Sequence, residues 1–105
     1  MSVDIDVKNL LKKVVDNLIS KYKPRKIILF GSYVSQKHTE DSDIDLLVVI
    51  EDTSNFKFRH KLIDDFSIPI HLIFISNDEF IETKDVIGGI AYPAFKDGEI
   101  LYEES

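Results

Sequence analysis

The protein is small and acidic. It has 105 residues, 44% of them hydrophobic and 30% charged, which predicts a single domain over 1–105 with a modest core. It has no cysteine, so disulfides, cysteine-based zinc sites and cysteine nucleophiles are excluded, and a reducing, cytoplasmic location is expected. The net charge of −6 argues against direct nucleic-acid binding, and no apolar run is long enough to predict a membrane span.

The first half of the chain contains three regular elements in sequence order. Apolar residues at helical spacing predict an amphipathic helix over 5–22, which Pro24 ends. A strand over 26–30 follows, and then a polar loop over 31–42 that begins with a short turn. The next strand, 44–50, is apolar almost throughout, as in a strand buried on both faces of a sheet.

The second half of the chain has weaker periodicity. We predict a helix over 56–65, a strand over 68–75, two short helices over 77–83 and 85–95, and a final strand over 99–102. Strands that alternate with helices in this order form a mixed β-sheet with helices packed on it. The expected fold class is therefore α/β, or α+β.

The motif that indicates chemistry lies between the first two strands. Gly31 and Ser32 are followed by ten residues and then by Asp43-Ile44-Asp45. Side chains alternate along a strand, so Asp43 and Asp45 project from the same face and repel each other. A divalent cation relieves that repulsion, and oxygen ligands suit Mg²⁺. Gly31 lets backbone approach a ligand, and its neighbouring N–H groups and the Ser32 hydroxyl can face a phosphate.

The chain resembles the nucleotidyltransferase superfamily that includes DNA polymerase beta and kanamycin nucleotidyltransferase. The likeness rests on the apolar strand that ends in Gly31-Ser32 and on the Asp43-Ile44-Asp45 motif inside a second apolar strand. It extends more loosely over most of the chain, including the segment 97–103. Among the superfamily, the chain is most similar to the minimal nucleotidyltransferases, which are small stand-alone members. The resemblance implies a polymerase beta-like fold.

The resemblance also implies roles for the residues of the motif. Asp43 and Asp45 would be catalytic and would bind Mg²⁺, or Mn²⁺ in its place. Gly31 and Ser32 would hold the β- and γ-phosphates of ATP or another nucleoside triphosphate, and Ser42 would support the loop or orient Asp43. In the family's reaction two metal ions activate an acceptor hydroxyl for attack at the α-phosphorus, and pyrophosphate leaves.

One residue departs from the family's pattern. The third acidic residue of the family lies on a later strand, where this chain has His71. A neutral imidazole supplies no negative charge for a metal and prefers softer ions than Mg²⁺. His71 could instead accept a proton from the acceptor hydroxyl, or it could fill the position without chemistry. Four acidic residues are candidates for a substitute carboxylate: Glu51, Asp52, Asp64 and Asp65.

The loop after Gly31-Ser32 also differs from that of relatives. They often carry Gly-Ser-Arg-Ala-Arg-Gly, whereas this chain lacks the basic and glycine positions. Lys37 could partly replace a missing arginine, and His38 could contact a triphosphate, although a surface location is expected for both His38 and His60. Tyr33 could stack on a base, but we expect it to cover the loop.

The resemblance implies a function that depends on a partner. Relatives of this size often act beside a small helical HEPN-domain protein, as antitoxin to its ribonuclease toxin, and the acceptor can be a tyrosine hydroxyl of that toxin. The chain is too short for a second, substrate-binding domain, so the acceptor would come from a partner or from a second copy. The alternative is a catalytically weak or inactive antitoxin that acts by contact alone. An unrelated α/β domain with a chance motif is the third interpretation.

Overall fold

The computed structural model describes residues 5–35, 43–51, 59–64 and 68–104. Its elements are α1 (Ile5–Tyr22), β1 (Lys26–Phe30), α2 (Ser32–Ser35), β2 (Ile44–Ile50), β3 (His60–Ile63), β4 (Ile70–Ser76), α3 (Asn77–Thr83), α4 (Tyr92–Asp97) and β5 (Glu99–Glu103). Within these residues, no helix has the length and apolar character needed to cross a membrane.

The five strands form one mixed sheet in the order β3-β4-β2-β1-β5. The central strands β2 and β4 are parallel, and each of the other neighbouring pairs is antiparallel. Helices flank the sheet, which confirms the predicted fold class.

Two apolar clusters pack on opposite faces of this sheet. The face under α1 carries side chains such as Leu46 and Leu72, which pack against Leu11 and Val14 of the helix. The opposite face carries Leu47, Val49, Ile73 and Ile75, which pack against α3 and α4 through Phe80 and Ala94. Both faces are therefore covered, as the apolar sequence of β2 predicts.

Most of the predicted elements are confirmed. The helix α1, the strands β1 and β2, and the helix α3 have the predicted bounds. The strand β4 begins at Ile70 rather than at residue 68, because Pro69 has no N–H for a ladder, although its carbonyl accepts a hydrogen bond from Ile44. The strand β5 extends one residue further than expected, to Glu103.

The predicted helix over 56–65 is wrong within the described residues. Residues 60–63 form the edge strand β3, antiparallel to β4, while residues 56–58 and 65 lie outside the described part. The apolar side chains fit a helical spacing, but β4 offers a row of backbone donors and acceptors that need partners. Pairing along that edge overrides the weak local pattern.

The predicted helix over 85–95 is also wrong at its start. The helix α4 begins at Tyr92, and turns occupy most of residues 84–91. Gly88 has a φ of +89°, which a helix does not allow, and Pro93 suits a first helical turn, where its missing N–H has no partner to lose. Proline and glycine therefore mark the beginning of this helix and not an interruption inside it.

Candidate active site

Four residues from four strands form one row across the sheet. Asp45 on β2 is the neighbour of Phe30 on β1 and of His71 on β4, and His71 is in turn the neighbour of Leu62 on β3. Cross-strand neighbours project from the same face of a sheet. The register therefore brings together Asp45 and His71, which are 26 residues apart in sequence, on the face that α3 and α4 partly cover.

The backbone at Gly31 lies against the Asp45 side chain. Gly31 follows Phe30, the cross-strand neighbour of Asp45, and has a φ of +83°. A Cβ atom at position 31 would lie 2.5 Å from Asp45 Oδ2, closer than such atoms approach each other. Glycine is therefore required both for the backbone conformation and for the space above the carboxylate. This contact explains the pairing of glycine and aspartate that the motif shows.

The surroundings of Asp45 disfavour its negative charge. Its side chain is 28% exposed, and burial raises the pKa of its carboxyl. The neighbouring His71 lowers this pKa, and the negative charge of Asp43 raises it. Asp43 is exposed, just before β2 begins. A divalent cation between the two carboxylates would remove their repulsion and restore favourable solvation to Asp45.

A third side chain extends the polar cluster beyond His71. The His71 Nδ1 atom lies 3.4 Å from Asp45 Oδ1, and its Nε2 atom lies 2.9 Å from the Nδ1 atom of His60 on β3. The two imidazole rings stack with their centroids 5.0 Å apart and their planes 23° apart. The sequence analysis placed His60 on the surface without a role. His60 and Leu62 are two residues apart and share a face of the sheet, but this spacing indicates a shared face only if residues 60–63 form a strand.

Of the four candidates for a substitute carboxylate, two lie within the described residues, Glu51 and Asp64. Glu51 follows the far end of β2, about 20 Å from Asp45, and is paired with Arg25. Asp64 is exposed after β3, while Asp52 and Asp65 lie outside the described residues. Over residues 5–35, 43–51, 59–64 and 68–104, no group of three or more histidine or acidic side chains is arranged to hold a metal ion.

The remaining site predictions fall on the loop after β1. Ser32 begins the short helix α2, where the sequence predicted a turn, and only its backbone is described. Ser42, Lys37 and His38 lie outside the described residues. Tyr33 is 6% exposed and belongs to the core under α1, while residues 36–42 of the loop that it was expected to cover lie outside the described part.

A cavity of about 550 Å³ lies elsewhere, between α1, α2 and β5. Leu11, Leu29 and Tyr33 are among its lining residues, and these belong to the core on the α1 face of the sheet. Asp43, Asp45, His60 and His71 do not line it. The cavity is therefore separate from the polar cluster.

The described residues suit one divalent cation that a nucleotide brings with it. Mg²⁺ is usually held by one or two carboxylates together with substrate phosphates and water, and Asp43 and Asp45 provide that number. Among the described residues, no third carboxylate joins these two, and His71 is the neighbour of Asp45 on β4. The donor set is thus compatible with the divalent metal that nucleotidyl transfer requires.

Comparison with known proteins identifies the class. The family described as polymerase beta, nucleotidyltransferase matches residues 4–105, and this chain belongs to that family. Its substrate class is a nucleoside triphosphate, and its activity is nucleotidyl transfer.

Relatives from Methanocaldococcus jannaschii make the likeness more specific. One is 34% identical over 96 residues, which is 88% of this chain and 94% of the relative. A second is 36% identical over 72 residues, 65% of this chain and 74% of the relative, and a third is 39% identical over 57 residues, 54% and 57% of the two chains. Each carries the provisional name protein adenylyltransferase.

Proposed function

We propose that this protein is a Mg²⁺-dependent adenylyltransferase, which transfers AMP from ATP to a hydroxyl group on a helical HEPN-type protein and acts as its antitoxin. The observation that supports this proposal is the close approach of the Gly31 backbone to Asp45, because a glycine turn beside a carboxylate suits a cation-bound triphosphate. The names of the relatives support adenylyl transfer to a protein. In this proposal the chain is a single catalytic domain acting in the cytoplasm, and its acceptor belongs to the partner or to a second copy.

The residues of the motif divide the work between binding and chemistry. Asp43 and Asp45 would hold the cation that accompanies the triphosphate, and the cation would offset the charge that develops on the phosphates. The backbone of Gly31 and Ser32 would bind the terminal phosphates, with Ser42 supporting the loop. Asp45 has a second task, because its Oδ1 atom faces His71 and fixes the orientation of that imidazole.

His71 distinguishes this site from one with three carboxylates. It cannot contribute negative charge while neutral, so we propose that it supports removal of the proton from the acceptor hydroxyl. The acceptor oxygen attacks the α-phosphorus, the bond from that phosphorus to the bridging oxygen breaks, and pyrophosphate leaves. Orientation of His71 by Asp45 parallels the way that carboxylates orient catalytic histidines in general.

The test is transfer of label from ATP to protein. The chain is co-expressed with the product of the adjacent gene, incubated with α-labelled ATP and Mg²⁺ or Mn²⁺, and analysed by mass spectrometry for a covalent AMP adduct. We expect label on the partner with the wild type and none with the Asp43→Asn/Asp45→Asn variant. Asp16→Asn, an exposed change on the opposite side of the sheet, is the matched control and should label normally.

A second candidate function is an antitoxin that acts by contact alone. The observation in its favour is that, among the described residues, no three histidine or acidic side chains are arranged to hold a metal ion. The variant His71→Asp separates the two candidates, because it restores the family's third acid. If only His71→Asp transfers label while the wild type binds the partner without labelling it, the contact mechanism is correct.

Nucleotide binding can be measured apart from transfer. Mg·ATP should raise the melting temperature of the wild type, since a ligand that binds only the folded state stabilises it by about 2.7 kcal/mol at one hundred times its dissociation constant. The rise should require the divalent cation and should disappear in Asp43→Asn/Asp45→Asn. A rise that persists in that variant would place the nucleotide elsewhere.

A further inference from the structure

The polar cluster of Asp45 and His71 extends to His60. Both ring nitrogens of His71 therefore have a neighbouring polar atom. Its Nδ1 atom faces Asp45 Oδ1 at 3.4 Å, and its Nε2 atom contacts His60 Nδ1 at 2.9 Å. A base must offer a free lone pair to the proton that it removes. His71 therefore has no nitrogen available for an acceptor hydroxyl in this arrangement, although it lies beside Asp45.

One pair of neutral tautomers satisfies both contacts. A carboxylate accepts only, so the His71 Nδ1 carries a proton that points toward Asp45, and the His71 Nε2 has the lone pair. That lone pair accepts a hydrogen bond from His60 Nδ1–H. The remaining nitrogen, His60 Nε2, then carries a lone pair at the outer end of the chain of hydrogen bonds.

The position of His60 suits contact with a second molecule. It lies on β3, which is the edge strand of the sheet, and its side chain is exposed. Leu62, two residues further on the same face, is 59% exposed and lies beside His71 in the row. An acceptor that approaches over this edge meets His60 before it meets His71.

From this geometry we infer that His60, not His71, accepts the proton of the acceptor hydroxyl, and that His71 is a positioning residue between His60 and Asp45. The inference rests on the proposed function. When the acceptor oxygen bonds to the α-phosphorus, its proton moves to His60 Nε2, and the resulting imidazolium still donates through Nδ1 to His71. The negative charge of Asp45 stabilises that cation through His71, pyrophosphate leaves with its electron pair, and the proton is later released to solvent.

Two substitutions of His60 and one of its neighbour Lys61 separate proton acceptance from positioning. His60→Asn keeps a donor near the position of Nδ1 but removes the lone pair of Nε2, whereas His60→Ala removes both. Lys61→Ala is the matched control, because Lys61 is also exposed on β3 but projects from the opposite face. Exposed substitutions of this kind change stability little, so all three proteins should fold.

We expect His60→Asn and His60→Ala to lower kcat for AMP transfer to the labelled acceptor about a hundredfold, with the KM for ATP unchanged. Free imidazole should restore part of the rate to His60→Ala, because it fits the space and supplies the missing base. Lys61→Ala should transfer at the wild-type rate. A wild-type rate in His60→Asn would overturn the inference, since His60 would then only orient His71.

A measurement without catalysis distinguishes failure of this inference from failure of the proposed function. The ¹⁵N chemical shifts of the imidazole rings report which nitrogen of each histidine carries the proton. We expect His71 to be protonated at Nδ1, His60 to be unprotonated at Nε2, and the His71 signals to move in His60→Ala. If they do not move, the relay is absent and the inference fails, whether or not the wild type transfers AMP.

Discussion

The two faces of the sheet are formed by the same strands but differ at one end. On the face under α1, β2 and β4 present buried apolar residues from their beginning, such as Leu46 and Leu72. On the opposite face, the first positions of these strands are Asp45 and His71, and apolar residues follow. Polar groups therefore occur where α3 and α4 do not completely cover the sheet. Adjacent residues of one strand have different roles, because one packs in the core and the next belongs to the candidate active site.

This difference shows how a small domain can hold a partly buried carboxylate, whose loss of solvation destabilises the folded state. Asp45 is partly buried and burial raises its pKa, yet Leu46 beside it is fully buried in the core. The hydrophobic contacts of one face stabilise the strand, whose other face can then hold a charge in a poorly solvated position. Substitutions on the α1 face should therefore change mainly stability, and substitutions at Asp45 or His71 should change mainly activity.

The largest effect is expected at Asp45 and concerns activity. Asp45→Asn should lower the rate of AMP transfer about a thousandfold, or by about 4 kcal/mol, because one of two metal ligands is lost. Single-turnover assays at saturating Mg·ATP measure the change. Asp16→Asn should leave the rate unaltered, and an active Asp45→Asn would mean that this face does not hold the cation.

The second effect concerns stability on the α1 face. Leu46→Ala should lower the free energy of unfolding by about 3 kcal/mol, because it leaves a cavity among fully buried side chains. Leu62→Ala is the matched variant on the other face and should cost less than about 0.5 kcal/mol, since its side chain is 59% exposed. Urea denaturation gives both values. Similar losses for the two variants would contradict the division between faces.

The third effect concerns stability at Gly31, where the backbone conformation and the contact with Asp45 both oppose a side chain. Gly31→Ala should cost more than Gly88→Ala, which shares a positive φ but has open space around the added Cβ. The conformational cost is about 1–2 kcal/mol at both positions, and the excess at position 31 comes from contact with Asp45. In an Asp45→Ala background that excess should vanish, a coupling that a double-mutant cycle measures. Equal costs in both backgrounds would mean that the contact carries no energy.

The smallest effect is the pH dependence of stability. Because the folded state raises the pKa of Asp45, it binds this proton more tightly than the unfolded chain does. The stability contributed by the protonated form is therefore lost as the pH rises from the unfolded value of about 3.9 through the folded pKa. Asp45→Asn should be more stable than the wild type at neutral pH, and the advantage should shrink on acidification. Denaturation of both proteins across this range tests the sign, and an advantage that grows in acid would contradict it.

Much of the fold follows from local patterns, and the failures have a common cause. The helical spacing of α1 and the apolar runs of β1 and β2 each identify their element within a few consecutive residues, and the structure confirms them. The strand β3 has no such pattern, because its four residues are mostly exposed and gain their hydrogen bonds from β4. An edge strand of this kind is stabilised by hydrogen bonds to the neighbouring strand, and the periodicity of its own residues contains no information about that strand.

Local patterns in the sequence identify the Gly31 and Asp43–Asp45 motif and the α/β fold class, because glycine, carboxylates and apolar runs have requirements that their spacing records. The polymerase beta-like fold was implied by the resemblance of that motif to a known family. Three contacts emerge only from the folded chain: Gly31 lies against the Asp45 side chain, His71 lies beside Asp45, and His60 contacts His71. Those contacts depend on the register between strands distant in sequence. The register is set by the packing of both sheet faces together, which no single segment of the chain contains.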